Sequence, residues 1–286
     1  RLIRRQRQMC IRDRYTCFHV RKRSGGFRYI SAPAGDFRSM QQTIYHRILL
    51  LANIHPAVTG FCPGKSVSDN ARVHLGRKNV LKVDLHDFFP SIRSPRVRAA
   101  FREMGYSRSI AKVLAELCCL RCCLPQGAPT SPALSNIIAY PMDKKMMALA
   151  GEYGLVYTRY ADDLTFSGDY LPKDEVLVRI HRIIREEGFT MNVKKTRFLS
   201  EHKRKIITGV SVSSGKKMTL PKVKKREIRK NVHYVLTKGL VGHQEHIGST
   251  DPVYLKRLLG SLCYWRSIEP DNRYVSDSIT ALKRLM

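Results

Sequence analysis

The alternation of apolar and polar residues predicts several short β-strands. Val80–Leu85 is rich in apolar and β-branched residues and carries an acid near its end. Leu155–Ser167 predicts a hairpin with the adjacent acids Asp162 and Asp163 at its tip. A basic hairpin with a glycine turn is predicted over Lys22–Ile30, and a further hairpin over Ile206–Leu220. The strands are therefore predicted to pair mostly as antiparallel neighbours.

Helical spacing of apolar residues predicts a larger set of helices between these strands. The predicted helices are Asp36–Asn53, one from Ser94, one from Ser107, Ser131–Ala150, Lys173–Glu187, Val223–Thr237, Pro252–Ser267 and a weaker one after Ser276. Asp36, Ser94 and Ser107 are predicted N-caps, because their side-chain oxygens can accept the first free N–H groups of a helix. Strands and helices mix without regular βαβ alternation, which indicates an α+β fold.

The charge of the chain favours a polyanionic partner. Fifty-two Lys and Arg stand against 23 Asp and Glu, a formal net charge of +29, and such a field attracts nucleic acid. A basic surface that serves solubility alone is the bland alternative, although it usually carries a net charge of about 2–8. The longest apolar run, Ile48–Ala52, is far shorter than a membrane span, so we expect a cytoplasmic protein with no membrane partner.

The cysteines do not indicate a clear metal site. Cys118, Cys119, Cys122 and Cys123 contain CxxC spacing, but no second Cys/His pair follows at finger-like spacing. Their position at the end of an apolar helix favours packing in the core over zinc binding.

Three carboxylates stand at strand ends, where an acid is costly to bury. Asp84 ends the Val80–Leu85 strand, and Asp162 and Asp163 form the tip of the next predicted hairpin. Three acids brought together need cations to neutralise them, and hard oxygen ligands suit Mg²⁺. Two such ions can activate a hydroxyl and stabilise a leaving pyrophosphate. The alternative is that Asp162 and Asp163 are only a turn pair.

Four segments in order resemble the motifs of reverse transcriptases. Val83–Ser91 (VDLHDFFPS), Leu124–Pro132 (LPQGAPTSP) and Tyr160–Asp163 (YADD) resemble motifs A, B and C, and Gly188–Thr196 (GFTMNVKKT) resembles motif D. The resemblance extends over about Arg21 to Leu258 and implies an RNA-directed DNA polymerase with a right-hand fold. It implies fingers and an antiparallel palm over residues 21–215 and a helical thumb over 216–286. Residues 1–20 are left as a poorly defined N-terminal segment that need not be native.

The resemblance also implies roles for single residues. Asp84 and Asp162 would hold two Mg²⁺ ions, with Asp163 assisting and the Leu85 carbonyl as a backbone ligand. The residues expected to bind the deoxynucleoside triphosphate are Phe89 as the steric gate, Gln126, Gly127, Lys195 and Arg28. Lys195 would be a charge partner or acid for the pyrophosphate. Core packing for Phe89 and simple solvation for Lys195 stay open as alternatives.

Two short motifs are similar to signatures of retron reverse transcriptases. The first is N-A-x-x-H, which begins at Asn70 and ends at His74; the second is Ile207-Thr208-Gly209, which stands where these enzymes carry V-T-G. If Ser68 caps a short helix, Asn70 and His74 lie on one face and either contact RNA or brace the fingers. For His74 a purely structural role is equally open.

Basic residues crowd the predicted thumb. Residues 194–230 hold fourteen Lys or Arg and two Glu. Lys222, Lys225, Arg226 and Arg229 lie on the first thumb helix and are expected to contact phosphates.

The expected function is to copy part of a cognate structured non-coding RNA into branched single-stranded DNA. The partners would be that RNA, an RNA–DNA duplex, deoxynucleoside triphosphates and a retron effector protein. Other bacterial reverse transcriptases, namely group II intron, diversity-generating and phage-defence enzymes, remain alternatives. A non-catalytic RNA-binding module on the same fold is an alternative from a different class.

Overall fold

The computed structural model describes residues 14–22 and 25–286. The described chain divides into two compact units. Unit 1 contains the residues up to Lys65 together with Leu81–Phe198, and unit 2 contains Ser66–Val80 together with Leu199–Met286. In the described residues we find no helix with the length and apolar character that a membrane span requires.

Eight strands and eleven α-helices are described, and they are labelled here in chain order. The strands are β1 (Tyr15–Arg21), β2 (Phe27–Pro33), β3 (Asn79–Asp84), β4 (Val156–Tyr160), β5 (Asp163–Gly168), β6 (Arg197–Leu199), β7 (Ile206–Ile207) and β8 (Val210–Ser211). The helices are α1 (Gly35–Arg47), α2 (Val67–Arg72), α3 (Phe88–Ser91), α4 (Ser94–Glu103), α5 (Arg108–Cys118), α6 (Ser131–Ile138), α7 (Tyr140–Glu152), α8 (Lys173–Glu186), α9 (Lys222–His246), α10 (Tyr254–Ile268) and α11 (Arg273–Lys283). Short 3-10 turns cover Leu49–Leu51 and Val193–Lys195.

The central sheet has four strands in the order β4-β5-β3-β6. β4 and β5 are antiparallel and pair from Val156 opposite Ser167 to Tyr160 opposite Asp163, so their turn is tight. Helices α4 to α8 contribute most of the apolar side chains that pack with this sheet in the core of unit 1. The strand ends that carry the acids are thereby fixed to a large buried core.

A separate antiparallel hairpin is formed by β1 and β2 in unit 1. Gly25 and Gly26 have φ angles of 88° and 74° in its turn, a conformation that favours glycine. Tyr15 anchors the base of the hairpin by packing with Phe37 and Leu120. Much of the hairpin beyond this base is exposed.

Unit 2 is built mainly from α9, α10 and α11 around a core that includes the fully buried Leu262 and Trp265. The segment Ser66–Val80 contributes Ala71 and Val80 to the same core. α9 is interrupted at Gly239, which has φ 74°.

Several predicted boundaries were wrong, each for a local reason. The first helix begins at Gly35 after Ala34, so Asp36 lies in its first turn and is not its cap. Ser94 is the first residue of α4, whereas Ser107 does cap α5 by accepting from the Ile110 N–H. Pro141 near the start of α7 separates it from α6, because proline cannot donate the backbone hydrogen bond that a continuous helix needs.

The predicted segments also differ from the observed ones. Tyr15–Val20 belongs to an ordered strand, although the sequence left it within the undefined segment 1–20; residues 1–13 lie outside the described residues. The predicted antiparallel pairing towards Leu220 is present where Ser211 bridges Thr219, but the segment also contains an unpredicted tight hairpin, β7–β8, that turns at Thr208 and Gly209. The contact boundary falls between residues 198 and 199, whereas the predicted thumb starts at 216; fingers, palm and thumb stay a prediction.

The four clustered cysteines divide by burial. Cys118 and Cys119 are buried in the core of unit 1, as expected. Cys122 is exposed and Cys123 partly buried, so core packing describes only part of the cluster.

Candidate active site

Backbone hydrogen bonds place the end of β3 beside the YADD turn. The Leu85 N–H donates to the Asp162 carbonyl at 2.9 Å, so Asp84 and Leu85 lie next to the turn between β4 and β5. Ala161 has φ 56°, a left-handed conformation that is unusual for alanine and sharpens this turn. The structure therefore brings Asp84, Leu85, Asp162 and Asp163 to one end of the sheet.

The ionised forms of Asp162 and Asp163 are disfavoured at this turn. Burial raises the pKa of Asp162, and the nearby Asp163 and Asp84 carboxylates raise it further. Burial also raises the pKa of Asp163, which is opposed by the charge of Lys82 and reinforced by Asp84. Lys82, two residues before Asp84 on the same strand, was missed by the sequence analysis. This end of the sheet thus favours bound positive charge.

Lys195 supplies positive charge at Asp84. Its Nζ lies 3.0 Å from Oδ1 and 2.9 Å from Oδ2 of Asp84, and this hydrogen bond raises the pKa of Lys195. The segment that carries Lys195 is held by backbone bonds on either side of Asp84. Asn192 N–H donates to the Asp84 carbonyl at 2.7 Å, and His86 N–H donates to the Thr190 carbonyl at 2.8 Å. Motif D is thereby fixed against motif A.

The donor chemistry of this site fits a hard divalent cation. Its carboxylates offer oxygen ligands, and burial, together with the neighbouring carboxylates, raises the pKa values of Asp162 and Asp163, so a bound cation would favour their ionised forms. Among the described residues, no three His, Cys, Asp or Glu side chains are close enough together to hold a metal in this conformation. Because Lys195 occupies both oxygens of Asp84, binding of a metal would require that carboxylate to turn away from Lys195.

The Gln126–Gly127 loop is joined to β2. The Ser31 N–H donates to the Gln126 carbonyl at 2.8 Å. Gly127 has φ 116°, and a Cβ there would lie 2.8 Å from Ile30 Cγ2 and 3.1 Å from the Ser31 carbonyl. Only glycine fits this approach without displacing β2. The predicted nucleotide contacts Gln126 and Gly127 therefore lie beside the strand that carries the exposed Arg28.

Phe89 stands in a group of aromatic rings rather than alone. It is partly buried and lies 5.5 Å from Phe88 and 6.0 Å from Phe61 between ring centroids. Phe61 is 40% exposed and also lies 6.3 Å from Tyr160 of the YADD turn. Phe89 thus has both a packed side and a partly open one, and its role as steric gate stays a prediction. Phe61 was missed by the sequence analysis.

A buried polar network supports the YADD turn from behind. Arg159 is fully buried and forms a two-pronged ion pair with Asp143, with both N···O distances 2.7 Å. Burial alone would lower the pKa of Arg159, but the Asp143 carboxylate raises it. Arg159 Nη1 also donates to the Asn136 side-chain oxygen and to the Ala161 carbonyl, each at 3.1 Å. The guanidinium therefore connects helices α6 and α7 to the turn itself.

The segment before Phe61 approaches the same turn from outside β4. Arg159 N–H donates to the Ala57 carbonyl at 3.0 Å, and Thr59 N–H donates to the Arg159 carbonyl at 2.9 Å. A Cβ on Gly60 would lie 2.6 Å from the Ala161 nitrogen, so glycine is needed for this contact. Sequence patterning missed this support, although Arg159 shares an inward strand face with Tyr157 and a buried arginine needs a partner.

The two retron-like motifs meet inside unit 2. Asn70 and His74 are 1% and 0% exposed, and burial lowers the pKa of His74 to about 3. Asn70 Nδ2 donates to Thr208 Oγ1 at 3.4 Å, and Thr208 Oγ1 donates to the Val67 carbonyl at 3.2 Å. Direct RNA contact by Asn70 and His74 does not fit this burial. The Asn70–Thr208 hydrogen bond favours bracing of the Ile207-Thr208-Gly209 turn by Asn70, and the burial of His74 favours a structural role.

Details of this motif differ from the sequence expectation. Ser66, not Ser68, caps α2, and its capping box with Asp69 satisfies both partners. Ile207 is fully buried, whereas Gly209 at the tip is exposed and has φ 85°. Of the three residues Ile207, Thr208 and Gly209, the backbone of Gly209 is the part most open to a partner.

The predicted thumb cations divide into paired and open groups. Lys225 is paired with Glu269 at 2.7 Å and both are largely buried, so its expected phosphate contact does not fit the structure. Arg229 stacks over the rings of Trp265 and Tyr274. Lys222 and Arg226 are exposed on α9. Phosphate binding is therefore better supported for Lys222 and Arg226 than for Lys225.

The chain is similar in sequence to known reverse transcriptases. The family model described as "Reverse transcriptase (RNA-dependent DNA polymerase)" matches residues 20–234. Retron Mx65 reverse transcriptase of Myxococcus xanthus is 35% identical over 277 residues, which cover 90% of this chain and 62% of that protein. Retron Ec86 reverse transcriptase of Escherichia coli is 36% identical over 238 residues, which cover 82% of this chain and 73% of that protein.

Among solved structures, telomerase from Candida albicans in complex with a fragment of telomeric RNA matches with a TM-score of 0.49 at 10% identity. The match covers 95% of this chain and 63% of that one. The sequence matches, which include motifs A to D, carry the assignment. The chain therefore belongs to the reverse transcriptase (RNA-dependent DNA polymerase) family and, within it, to the retron type.

Proposed function

We propose that this protein is an RNA-directed DNA polymerase that copies part of a structured non-coding RNA into branched single-stranded DNA. The observation that carries the proposal is the meeting of Asp84 with the Asp162–Asp163 turn, held by the Leu85–Asp162 backbone bond. Retron reverse transcriptases are the relatives it matches over most of its length. The chain spans 62% of one such relative, so the activity of the whole protein is part of this proposal.

The reaction forms one phosphorus–oxygen bond and breaks another. The primer hydroxyl loses its proton to solvent water and its oxygen bonds the α-phosphorus of a deoxynucleoside triphosphate. The bond from that phosphorus to the pyrophosphate oxygen breaks, and pyrophosphate leaves. Two Mg²⁺ ions, held by Asp84 and Asp162 with Asp163 and the Leu85 carbonyl assisting, would stabilise the hydroxyl oxygen and the leaving group. Protein residues otherwise contribute mainly position and charge in such a transfer.

The remaining residues are proposed to orient the substrate. In the metal-free protein the hydrogen bond to Asp84 raises the pKa of Lys195, so the ammonium is protonated. When Asp84 turns to the metal ions, this ammonium is released and pairs with the departing pyrophosphate or donates a proton to it. Arg28 on β2 binds the triphosphate, while the joined Gln126–Gly127 loop positions the nucleotide. Phe89 excludes the ribose 2′-hydroxyl with its open side.

Primer extension tests the polymerase. With Mg²⁺ and an RNA template, the wild-type protein is expected to extend a DNA primer. Asp162→Asn is expected to lose several orders of magnitude in rate while remaining folded, because a metal ligand is removed. An Asp162→Asn protein that extends primers at the wild-type rate would refute the assignment.

A separate experiment tests the retron product. We expect expression with the flanking genomic DNA to yield a small DNA joined to RNA through a 2′-hydroxyl. The protein would bind this RNA by recognising its folded shape. After RNase treatment, the gel mobility of the small DNA should shift only when a debranching enzyme is added. If the protein extends primers but no branched product forms, the polymerase stands and the retron product does not.

A further inference from the structure

The β1–β2 hairpin presents a row of aromatic rings on one face. Its register places His19 opposite Tyr29 and Arg21 opposite Phe27. Because side chains alternate along a strand, these four residues share one face and the intervening residues share the other. We call His19, Phe27 and Tyr29 the ring face.

The rings of this face touch one another and remain open to solvent. His19 lies 5.0 Å from Tyr29 and 6.2 Å from Phe27 between ring centroids, in both cases edge to face. Phe27 is 66% and Tyr29 43% exposed. An exposed row of three rings is unfavourable in water unless a partner covers it.

The charges around the ring face are positive. Arg21 is the cross-strand neighbour of Phe27, and the Arg121 guanidinium lies beside the Tyr29 hydroxyl. Neither β1 nor β2 contains Asp or Glu. Rings interleaved with cations suit bases joined by phosphates, whereas an apolar protein surface would leave these cations without partners.

The opposite face of the hairpin looks towards the proposed nucleotide site. Ile30 lies on that face and packs closely on Gly127, and Arg28 shares the face with Ile30. The ring face therefore points away from the Gln126–Gly127 loop. One thin hairpin separates two surfaces that each suit a nucleic-acid component.

We propose that the ring face binds the unpaired part of the RNA template by stacking of its bases on Phe27, Tyr29 and His19. This inference rests on the proposed polymerase function, because it assigns the template to one side of the hairpin and the incoming nucleotide to the other. Arg21 and Arg121 neutralise the phosphates between the stacked bases. Stacking tolerates every base, so the surface is expected to hold a moving template without sequence preference.

Binding of a fluorescein-labelled single-stranded RNA, followed by anisotropy without nucleotide or metal, tests the ring face directly. The double variant Phe27→Ala/Tyr29→Ala is expected to bind roughly tenfold or more weakly, because two stacking surfaces are lost. Phe18→Ala is the matched control: Phe18 is 45% exposed on the opposite face of the same strand pair. It should bind like the wild type. Equal weakening by Phe18→Ala, or no weakening by the double variant, overturns the proposal.

Two further experiments identify the molecule that binds the ring face. Wild-type protein cross-linked to RNA containing 4-thiouridine should yield adducts at Phe27, Tyr29 or their neighbours, and adducts confined to other segments contradict the assignment. Single-stranded DNA of the same sequence is expected to bind within a few fold, because stacked rings do not read the sugar. Failure of both strands to bind the wild type would point to a protein partner and would also overturn the proposal.

Primer extension separates this inference from the proposed function. On a template with a long unpaired 5′ end, the double variant should require more template for half-maximal rate. On a template with a single unpaired base it should match the wild type. If the wild type extends neither template, the polymerase fails but the RNA-binding result still decides the ring face. If both templates are affected equally, the ring face does not hold the unpaired template.

Discussion

At the scale of single residues, the raised pKa values of Asp162 and Asp163 imply a cost of folding without metal. Both carboxylates have folded-state pKa values above their ordinary ones, so the folded protein takes up protons more readily than the unfolded chain. The penalty is present at neutral pH and is relieved as the pH falls through the folded-state values. Burial is the main cause of this penalty and the neighbouring carboxylates add to it, so a bound cation would offset it.

We therefore predict that Asp162→Asn stabilises the metal-free protein while abolishing synthesis. In EDTA at neutral pH, the melting temperature should rise by about 2–4 °C, which corresponds to roughly 1 kcal/mol in a domain of this size. The gain should shrink as the pH is lowered, because the wild-type carboxylates then become neutral. Differential scanning fluorimetry across pH values measures it.

The matched control is Asp277→Asn, which changes an exposed acid in α11. It should leave the melting temperature nearly unchanged. Added Mg²⁺ should raise the melting temperature of the wild type more than that of Asp162→Asn, because binding to the folded state alone stabilises it. A metal-free Asp162→Asn protein that melts below the wild type would contradict the penalty for burying an ionised Asp162.

The second prediction at this scale concerns Phe89. Phe89→Ala should incorporate ribonucleotides measurably better relative to deoxynucleotides, because the ring that opposes the 2′-hydroxyl is gone. Single-nucleotide extension with each substrate gives the ratio of kcat/KM values. Phe88→Leu in the buried neighbour is the control for core disturbance and should leave the ratio unchanged. Unchanged sugar discrimination in a folded Phe89→Ala protein would place Phe89 in the core alone.

The sequence predicted some of these residues for a physical reason and missed others for an equally physical one. Asp84 and Asp162 were recognisable because acids at strand ends are unusual and their motifs are local. Arg159 was not, because its partner Asp143 lies on a helix sixteen residues away and only packing shows that the two meet. Burial of Asn70 and His74 likewise depends on unit 2 closing over them, which their spacing cannot reveal.

At the scale of elements, the β4–β5 hairpin depends on Arg159 for the shape of its turn. Arg159→Lys keeps a charge for Asp143, but one ammonium cannot also reach Asn136 and the Ala161 carbonyl. We predict a kcat at least about tenfold lower with little change in nucleotide KM, since misplacement of the acids slows chemistry rather than binding. Steady-state extension well below the melting temperature measures both constants.

Tyr157→Phe provides the comparison. It removes the 2.8 Å hydrogen bond from the Tyr157 hydroxyl to Asp143 in the same network but touches nothing in the turn. It should lower the melting temperature with a near-normal kcat. If kcat falls in proportion to melting temperature in both variants, Arg159 is merely structural and does not position the acids.

Elements with strong local signals were predicted well, and those set by tertiary contact were not. The β4–β5 hairpin and α8 agree closely with their predictions, because alternation and helical spacing are intact there. The Ala57–Phe61 segment carries no strand pattern, yet it pairs with Arg159 through its backbone. The β7–β8 turn at Thr208 was missed because a non-glycine residue with φ 46° gives no sequence signal.

At the scale of the whole molecule, the net charge of +29 predicts binding that weakens steeply with salt. Arg226→Ala should reduce the slope of log K against log salt by about 0.7–0.9, the value for one lost phosphate contact. Lys225→Ala is the matched variant one residue away; its partner is Glu269, so it should lower stability and leave the slope nearly unchanged. Titration of structured RNA at several salt concentrations distinguishes them. If the slope changes with Lys225→Ala but not with Arg226→Ala, then Lys225 and not Arg226 contacts phosphate, and the prediction is wrong.

Charge and motif order together were sufficient to predict the family, since both are properties of the sequence itself. The division of the chain was not predictable in the same way. Ser66–Val80 lies between two parts of unit 1 in the sequence but belongs to unit 2. This assignment depends on the long-range packing of Ala71 and Val80 with α9 to α11.

The placement of Ser66–Val80 in unit 2 has a consequence for folding during synthesis. The core of unit 2 contains both Val80 and Leu282, so it cannot close until about 200 further residues have left the ribosome. At a synthesis rate of about 5–20 residues per second, the early segment waits on the order of 10–40 s for its partners. During that interval Val67 and Ala71 are without the helices that bury them. The nascent chain therefore needs protection from aggregation at this segment, and rare codons late in the gene would lengthen its exposure.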